Sequence, residues 1–163
     1  MEIRQFRDLI VRPTLAALNL PYPDRAEAIL VATAAHESAG CRYIKQVGGG
    51  PALSFYQIEP ATGSDVIDRW LPRQSRALRE LVAIVTEFRA GDDLKGRLLC
   101  DMRFATVVAR LIYWRAPEAL PKADDVPGMA KLWGLRWQTE SDPVKMQQFI
   151  ANHARFVQPA MKG

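Results

Sequence analysis

The sequence predicts a mainly α-helical fold, with about seven helices arranged around one irregular loop. At 163 residues the chain is long enough for one well-buried core and short for two large domains. Apolar residues recur three and four positions apart along most of the chain, which places them on one face of a helix. The stretch 40–60 lacks this period and contains the turn-forming run Gly48-Gly49-Gly50-Pro51. We therefore expect a single domain over residues 1–163, with a loop or small hairpin at 40–60.

The first two helices are predicted from their apolar faces and from the residues at their ends. The first runs from Glu2 to Leu18, with Pro13 as a kink or break. Residues 1–20 are expected to pack on the rest of the domain as an N-terminal helix. Asp24-Arg-Ala-Glu27 has the form of a capping box, so the second helix is predicted from Asp24 to Ala39.

Five further helices follow from the same periodicity and from the helix-breaking residues at their ends. The predicted ranges are Pro60 to about Trp70, Ser75 to Arg89, Leu94 to Trp114, Asp124 to Trp137 and Asp142 to Val157. The range 94–114 is the longest and carries the most apolar positions, so it is the predicted central buried helix. Asp125 and Asp142 are candidate N-caps, because short acidic side chains accept hydrogen bonds from free backbone N–H groups.

Composition limits the kinds of partner. A net charge of +4 and a pI near 9.3 fit an anionic partner such as nucleic acid, a membrane surface or the bacterial cell wall. The basic residues are spread along the chain rather than gathered in one helix or arm, which disfavours nucleic acid. No apolar run approaches the ~20 residues that span a bilayer, so stable membrane insertion is not expected.

Cysteine and histidine are too few for a disulfide framework or a metal centre. Cys41 and Cys100 are isolated, and we expect two free thiols. His36 and His153 are the only histidines, so the prediction is no metal and no cofactor. The N-terminal stretch is charged and lacks the apolar core and cleavage site of a signal peptide, so action outside the cytoplasm is expected to need another route.

Glu37 is the main candidate for a functional side chain. It continues the apolar stripe of the second predicted helix, whose members are Ile29, Leu30, Thr33 and Ala34. The helix dipole changes the pKa of a carboxyl at the helix end by less than about one pH unit. Burial against apolar neighbours raises that pKa by several pH units. A buried Glu37 stays protonated near neutral pH and suits general acid catalysis. The alternative is a surface glutamate paired with Arg42 or Lys45.

A second signal is the segment Ser54-Phe-Tyr-Gln-Ile-Glu-Pro-Ala-Thr62. It resembles the signature Gly-Leu-Met-Gln-Ile-Met-Pro-x-Thr of soluble lytic transglycosylases and goose-type lysozymes; the residues in register are Gln57, Ile58, Pro60 and Thr62. In that family a helix ending in Glu-Ser lies a short distance upstream, where this chain has Glu37-Ser38. Ala109-Arg-Leu-Ile-Tyr113 resembles a third family helix, and the region 120–150 looks like the tail of phage-encoded members. The likeness is loose over residues 25–155 and specific over 37–62.

The resemblance implies a lysozyme-like catalytic domain in which the loop at 40–60 forms the cleft. It also implies cleavage of the β-1,4 bond between N-acetylmuramic acid (MurNAc) and N-acetylglucosamine (GlcNAc) in peptidoglycan, with Glu37 as catalytic acid and base. Lytic members need one carboxyl group, because the sugar's own 6-hydroxyl attacks and yields a 1,6-anhydro product. A phage-encoded member is made in the host cytoplasm and reaches the periplasmic cell wall through a lysis pore or within a virion. Its implied partners are glycan strands and other virion proteins.

Several neighbours are candidate substrate-binding residues. The Gln57 amide can donate to and accept from an N-acetyl group or hydroxyl, or it can cap the loop. Tyr56 and Tyr113 can stack on a sugar face or hydrogen-bond the acid, and a core position is the alternative for Tyr113. Ser38 can bind substrate or the end of its own helix. Arg42 can steer an anionic peptide stem or lie on the surface.

Two further candidates depart from the family signature and leave the function open. Ser54 stands in place of glycine, where the family backbone approaches the sugar. Glu59 stands in place of methionine: facing substrate it could activate water and make a muramidase hydrolase, whereas facing solvent it simply precedes Pro60. A catalytically inactive lysozyme-like virion protein also fits these departures, and a nucleic-acid binder ranks last. The tryptophans are expected in the core, outside the site; they are Trp70, Trp114, Trp133 and Trp137.

Overall fold

The computed structural model describes residues 1–138 and 142–162, and in that part it contains eight helices and no strand. The mainly α-helical class is confirmed. The first helix, α1, joins Ile3–Phe6, Arg7–Val11 and Arg12–Leu18. The others are α2 (Pro23–Glu37), α3 (Pro60–Ser64, continued by Asp65–Trp70 and Leu71–Arg73), α4 (Arg76–Thr86), α5 (Leu94–Cys100), α6 (Met102–Trp114), α7 (Val126–Trp137) and α8 (Pro143–Asn152, continued by His153–Val157 and Gln158–Met161).

Pro13 does not end α1. The segment Arg7–Val11, which ends two residues before Pro13, has the wider turn of a π-helix, and the helix then continues from Arg12 to Leu18. Proline lacks an N–H, and its ring crowds the carbonyl four residues earlier. A wider turn at that place relieves the crowding without breaking the helix.

The start of α2 corrects the predicted capping box. The helix begins at Pro23, after Tyr22 in the left-handed conformation with φ of 60°, and no side chain caps its first turn. Glu27 instead accepts a hydrogen bond from Nε of Arg12 at 2.8 Å. An ion pair between α1 and α2 therefore takes the place of the local bond that the sequence pattern predicts.

The predicted single helix over 94–114 is wrong, and this is why there are eight helices instead of seven. Asp101 separates α5 from α6 with an extended backbone, φ of −113° and ψ of 97°. Its carboxylate accepts the backbone N–H of Phe104 at 2.9 Å and so caps α6. Aspartate favours such caps over helix interiors, because its short side chain competes for backbone N–H groups. Within the range, α6 is the central buried helix, with Phe104 to Tyr113 all buried.

We expect Asp101→Ala to lower the free energy of unfolding by about 1 kcal/mol, the usual cost of losing an N-cap side chain. Asp93 is the matched control, because it precedes α5 in the same way but its side chain makes no capping bond. Asp93→Ala should change the free energy of unfolding by less than about 0.5 kcal/mol. Urea unfolding followed by circular dichroism measures both variants, and equal losses would contradict the assigned cap.

The remaining helix ends agree more closely with the sequence. Ser75 caps α4 by accepting the backbone N–H of Leu78 at 3.2 Å, and Glu87 in the left-handed conformation ends that helix earlier than the predicted Arg89. Asp125 and Asp142 cap α7 and α8, as predicted. These local bonds form because each cap needs only residues within one turn.

The loop at 40–60 contains no helix and folds back on itself through two isolated antiparallel bridges. Lys45 pairs with Leu53, and Leu53 pairs with Ile58. Residues 52–56 are buried, whereas most of 42–51 is exposed. One cluster of buried apolar side chains takes members from all eight helices and from this loop. The loop is therefore anchored on the helical core by its second half.

Candidate active site

A cleft of about 720 Å³ lies where the end of α2, the loop at 40–60, the start of α3 and the end of α7 meet. Its lining includes Glu37 from α2, Gln57 and Glu59 from the loop, and Arg136 and Trp137 from α7. A volume of this size is typical of small-ligand sites. Elements that are far apart in sequence thus build one concave site.

Glu37 is the last residue of α2 and is half-buried at the cleft. Burial raises the pKa of its carboxyl to about 7, and a hydrogen bond from Trp133 acts in the opposite direction. The Nε1–H of Trp133 donates to Oε1 of Glu37 at 2.7 Å. Neither Arg42 nor Lys45 forms an ion pair with it in the described part of the chain. A neutral donor therefore positions the carboxyl, and the alternative of a surface ion pair with Arg42 or Lys45 is not seen in that part of the chain.

Trp133 is itself held in place by aromatic contacts. The ring centroids of His36 and Trp133 are 4.5 Å apart in an edge-on arrangement, and Phe149 lies 5.2 Å from Trp133. The amide nitrogen of Asn152 and Nδ1 of His36 form a hydrogen bond at 3.0 Å. Burial lowers the pKa of His36 to about 4, so the imidazole is neutral near pH 7. The residue directly before Glu37 therefore adds no positive charge to the site.

Gln57 lines the cleft and also stabilises the loop. Its Nε2 donates to the backbone carbonyl of Ser54 at 2.7 Å, which is the loop-capping role; its place in the cleft lining leaves binding of substrate as a prediction. Ser54 has φ of 67°, the left-handed conformation that glycine adopts without steric cost. The Ser54 side chain is buried and accepts the backbone N–H of Tyr56 at 3.3 Å. Ser54 thus shapes the turn and does not line the cleft, which contradicts its predicted contact with substrate.

Tyr56 and Tyr113 are core residues, which contradicts the predicted stacking on sugar. The Tyr56 hydroxyl shares a hydrogen bond with Thr106 at 3.2 Å, and the Tyr113 hydroxyl shares one with Thr33 at 2.7 Å. Both rings are fully buried and neither lines the cleft. Burial raises the pKa of both phenols far above its usual value. Tyr113 supports the cleft from behind, because its ring stacks on Trp137 with centroids 4.8 Å apart.

Ser38 and Arg42 lie outside the cleft lining, and each takes the second of the two roles that the sequence leaves open. The Ser38 hydroxyl donates to the backbone carbonyl one turn earlier at 2.6 Å and accepts the N–H of Cys41 at 3.1 Å. Ser38 is buried and caps the end of α2. The helix ends at Glu37 because Ala39, the residue after Ser38, has φ of 51°. Arg42 is exposed and does not contribute to the lining. Ser38 therefore takes the alternative role of helix end, and Arg42 that of surface residue.

Glu59 is an exposed residue at the edge of the same cleft. It directly precedes Pro60, and its side chain makes no capping bond to α3. The sequence left two positions open for Glu59, facing substrate or facing solvent. The side chain is exposed to solvent and also borders the cleft. Its environment differs from that of Glu37, because Glu59 is exposed whereas Glu37 is half-buried and its carboxyl accepts the Trp133 N–H.

Sequence reasoning missed Trp133 and Trp137 as site residues. Trp133 is buried as expected, yet its N–H reaches Glu37. Trp137 lines the cleft, and its Nε1–H donates to the backbone carbonyl of Tyr56 at 2.8 Å. Their spacing of four residues does place both on one helix face. Nothing in the local sequence indicates that this face meets a glutamate 96 positions away.

The hydrogen bond from the Trp133 N–H stabilises the charged carboxylate of Glu37 and so lowers its pKa. Because Trp133→Phe removes this bond, we expect it to raise the pKa of Glu37 above 7. Trp137→Phe is the matched control, since the N–H of Trp137 serves Tyr56 instead. It should leave the Glu37 pKa unchanged. Carbon-13 NMR titration of the Glu37 side chain measures both, and an equal response to the two substitutions would contradict the assigned bond.

The described residues hold no group of three or more histidine, cysteine, aspartate or glutamate side chains suited to a metal ion. In the same part of the chain, no helix combines the length and apolar character needed to cross a membrane. Comparison of the sequence with protein-family models gives no match. Comparisons with curated proteins and with solved structures give none either.

Proposed function

We propose that this protein is a peptidoglycan-cleaving glycosidase with a lysozyme-like fold, acting as a lytic transglycosylase on the MurNAc–GlcNAc β-1,4 bond. The observation that carries the proposal is the Glu37 carboxyl, which borders a cleft and has its pKa raised to about 7 by burial. Such a group still carries a proton near neutral pH, as a general acid must. The register of Gln57, Pro60 and Thr62 with the family signature supports the same activity.

The chemistry needs one carboxyl group. Glu37 donates its proton to the glycosidic oxygen as the bond from that oxygen to the sugar's C1 breaks. The resulting carboxylate then accepts the proton of the sugar's own 6-hydroxyl while that oxygen forms a new bond to C1. The products are a chain with a 1,6-anhydro end and a chain with a new free 4-hydroxyl, and Glu37 is protonated again.

A hydrolase is the second candidate, and the position of Glu59 at the same cleft favours it. An ordinary glycosidase uses two carboxyl groups, roughly 5–5.5 Å apart for retention of configuration and 6.5–9.5 Å for inversion. In this alternative Glu37 is the acid, and the Glu59 side chain activates water or attacks the sugar. The product then has an ordinary reducing end.

Product analysis tests the proposal. Purified protein is incubated with isolated peptidoglycan, and the released fragments are identified by mass spectrometry before and after borohydride reduction. Anhydro ends, which resist reduction, are expected for a transglycosylase; reducible ends would instead establish the hydrolase. Release of no fragment would favour the inactive virion protein. We place the action at the periplasmic cell wall, reached through a lysis pore or within a virion.

A further inference from the structure

Arg136 supplies the cleft wall formed by α7 with an oriented guanidinium group. Its Nη2 donates to both carboxylate oxygens of Glu118, at 2.6 and 2.5 Å. Glu118 therefore holds the group through one of its three nitrogens. Within the described part of the chain, Nε is buried without an acceptor, and the hydrogen bonds of the side chain involve Nη2 alone. Nη1 is not among the buried unpartnered atoms of the described residues and makes none of these bonds, so Nη1, rather than the buried Nε, is the donor that a ligand in the cleft can reach.

The charge of Arg136 is distinctive for this cleft. Among the described residues of the lining it is the one lysine or arginine, and the His36 imidazole is neutral near pH 7 because burial lowers its pKa. Guanidinium stays charged at all ordinary pH values, and its planar donors match the two oxygens of a carboxylate. An anionic group on a ligand in this cleft therefore has one cationic partner available in the described lining.

We propose that Arg136 is a specificity-determining residue that binds a carboxylate on the glycan, so that the cleft selects strands with a free acid near the scissile bond. This inference rests on the proposed function. Two sources supply the same chemistry: the lactyl carboxylate of MurNAc from which the peptide has been removed, and a carboxylate of an attached peptide stem. GlcNAc-only chains and amidated strands lack it.

Equilibrium binding to the Glu37→Gln protein tests the proposal, because that variant is expected to leave the glycan intact. The ligands are muroglycan fragments with intact stems, fragments stripped of peptide, carbodiimide-amidated forms of each, and GlcNAc oligomers of equal length. Adding Arg136→Gln should weaken binding of the free-acid fragments about tenfold, the loss expected for one charge-assisted hydrogen-bonded contact. Binding of amidated fragments and GlcNAc oligomers should stay the same. Whichever free-acid fragment responds identifies the source.

Two further variants separate recognition from structure. Arg115→Gln is the matched control, because Arg115 pairs with Asp65 at 2.6 Å with 26% of its side chain exposed, close to the 27% of Arg136. It lies outside the cleft lining and should not change binding. Glu118→Gln removes the same ion pair but keeps the guanidinium, so it should retain the preference for free acids.

The outcomes are distinct for the two proposals. A preference for free acids that disappears only in Arg136→Gln supports the inference, whatever the catalytic rate. Equal binding of free-acid and amidated fragments, an equal loss in Glu118→Gln, or no binding of any fragment would overturn it. If the unsubstituted protein still releases anhydro fragments in those cases, the proposed function stands without this role for Arg136.

Discussion

Glu37→Gln should reduce the rate of peptidoglycan cleavage by about 10²–10⁴-fold, the usual contribution of a general acid. Glutamine cannot supply the proton, but its side-chain carbonyl can still accept the Trp133 N–H that the carboxyl accepts at 2.7 Å. The fold is therefore expected to persist. Clearing of chloroform-permeabilised Gram-negative cells measures the rate, and circular dichroism checks the fold.

Glu59→Gln is the matched control, because Glu59 borders the same cleft but is exposed. A transglycosylase should keep its rate in this variant, whereas a hydrolase that uses Glu59 should lose it. The rate of the unsubstituted protein should fall as the pH rises through about 7, since Glu37 then loses its proton. Equal clearing by Glu37→Gln and the unsubstituted protein would remove Glu37 from the mechanism.

The same carboxyl also makes the free energy of unfolding depend on pH. Its pKa is about 7 in the folded chain, compared with an ordinary value of 4.5, so the folded state binds this proton more tightly than the unfolded state. The resulting stabilisation is complete below pH 4.5 and is lost as the pH rises towards 7. Glu37→Gln should abolish this part of the pH dependence, which urea unfolding at several pH values would show.

Tyr56→Ala should lower the free energy of unfolding by about 3–5 kcal/mol, the range for removing a large aromatic side chain from a core. Only 1% of Tyr56 is exposed, and its ring lies 5.9 Å from that of Phe6. Its hydroxyl bonds to Thr106, so truncation also leaves a buried partner unsatisfied. Urea unfolding of the purified variant measures the loss.

Tyr43→Ala is the matched control, because Tyr43 lies in the same loop with 44% of its surface exposed. It should change the free energy of unfolding by less than about 0.5 kcal/mol. This pair of substitutions separates a core tyrosine from a cleft tyrosine. An unchanged stability of Tyr56→Ala would restore Tyr56 as a sugar-binding candidate.

Much of the helical architecture could be predicted from the sequence, because helix formation depends on neighbours within one or two turns. The apolar period and the caps at Asp125 and Asp142 are local features of this kind. Prediction failed where the same local sequence pattern is compatible with two different structures. Asp101 lies within a long apolar pattern but caps a new helix, and Glu27 pairs with Arg12 instead of capping its own helix.

The sequence alone singled out Glu37 and Gln57, because a carboxylate on an apolar stripe and a motif in register are both visible in the order of residues. Only the tertiary structure decided their surroundings. It brings the N–H of buried Trp133 to Glu37 and brings Arg136 and Trp137 to the cleft, and it buries Ser38, Tyr56 and Tyr113. The physical reason is that the pKa of a carboxyl and the role of an aromatic ring depend on burial. Burial in turn depends on how helices far apart in the chain pack together.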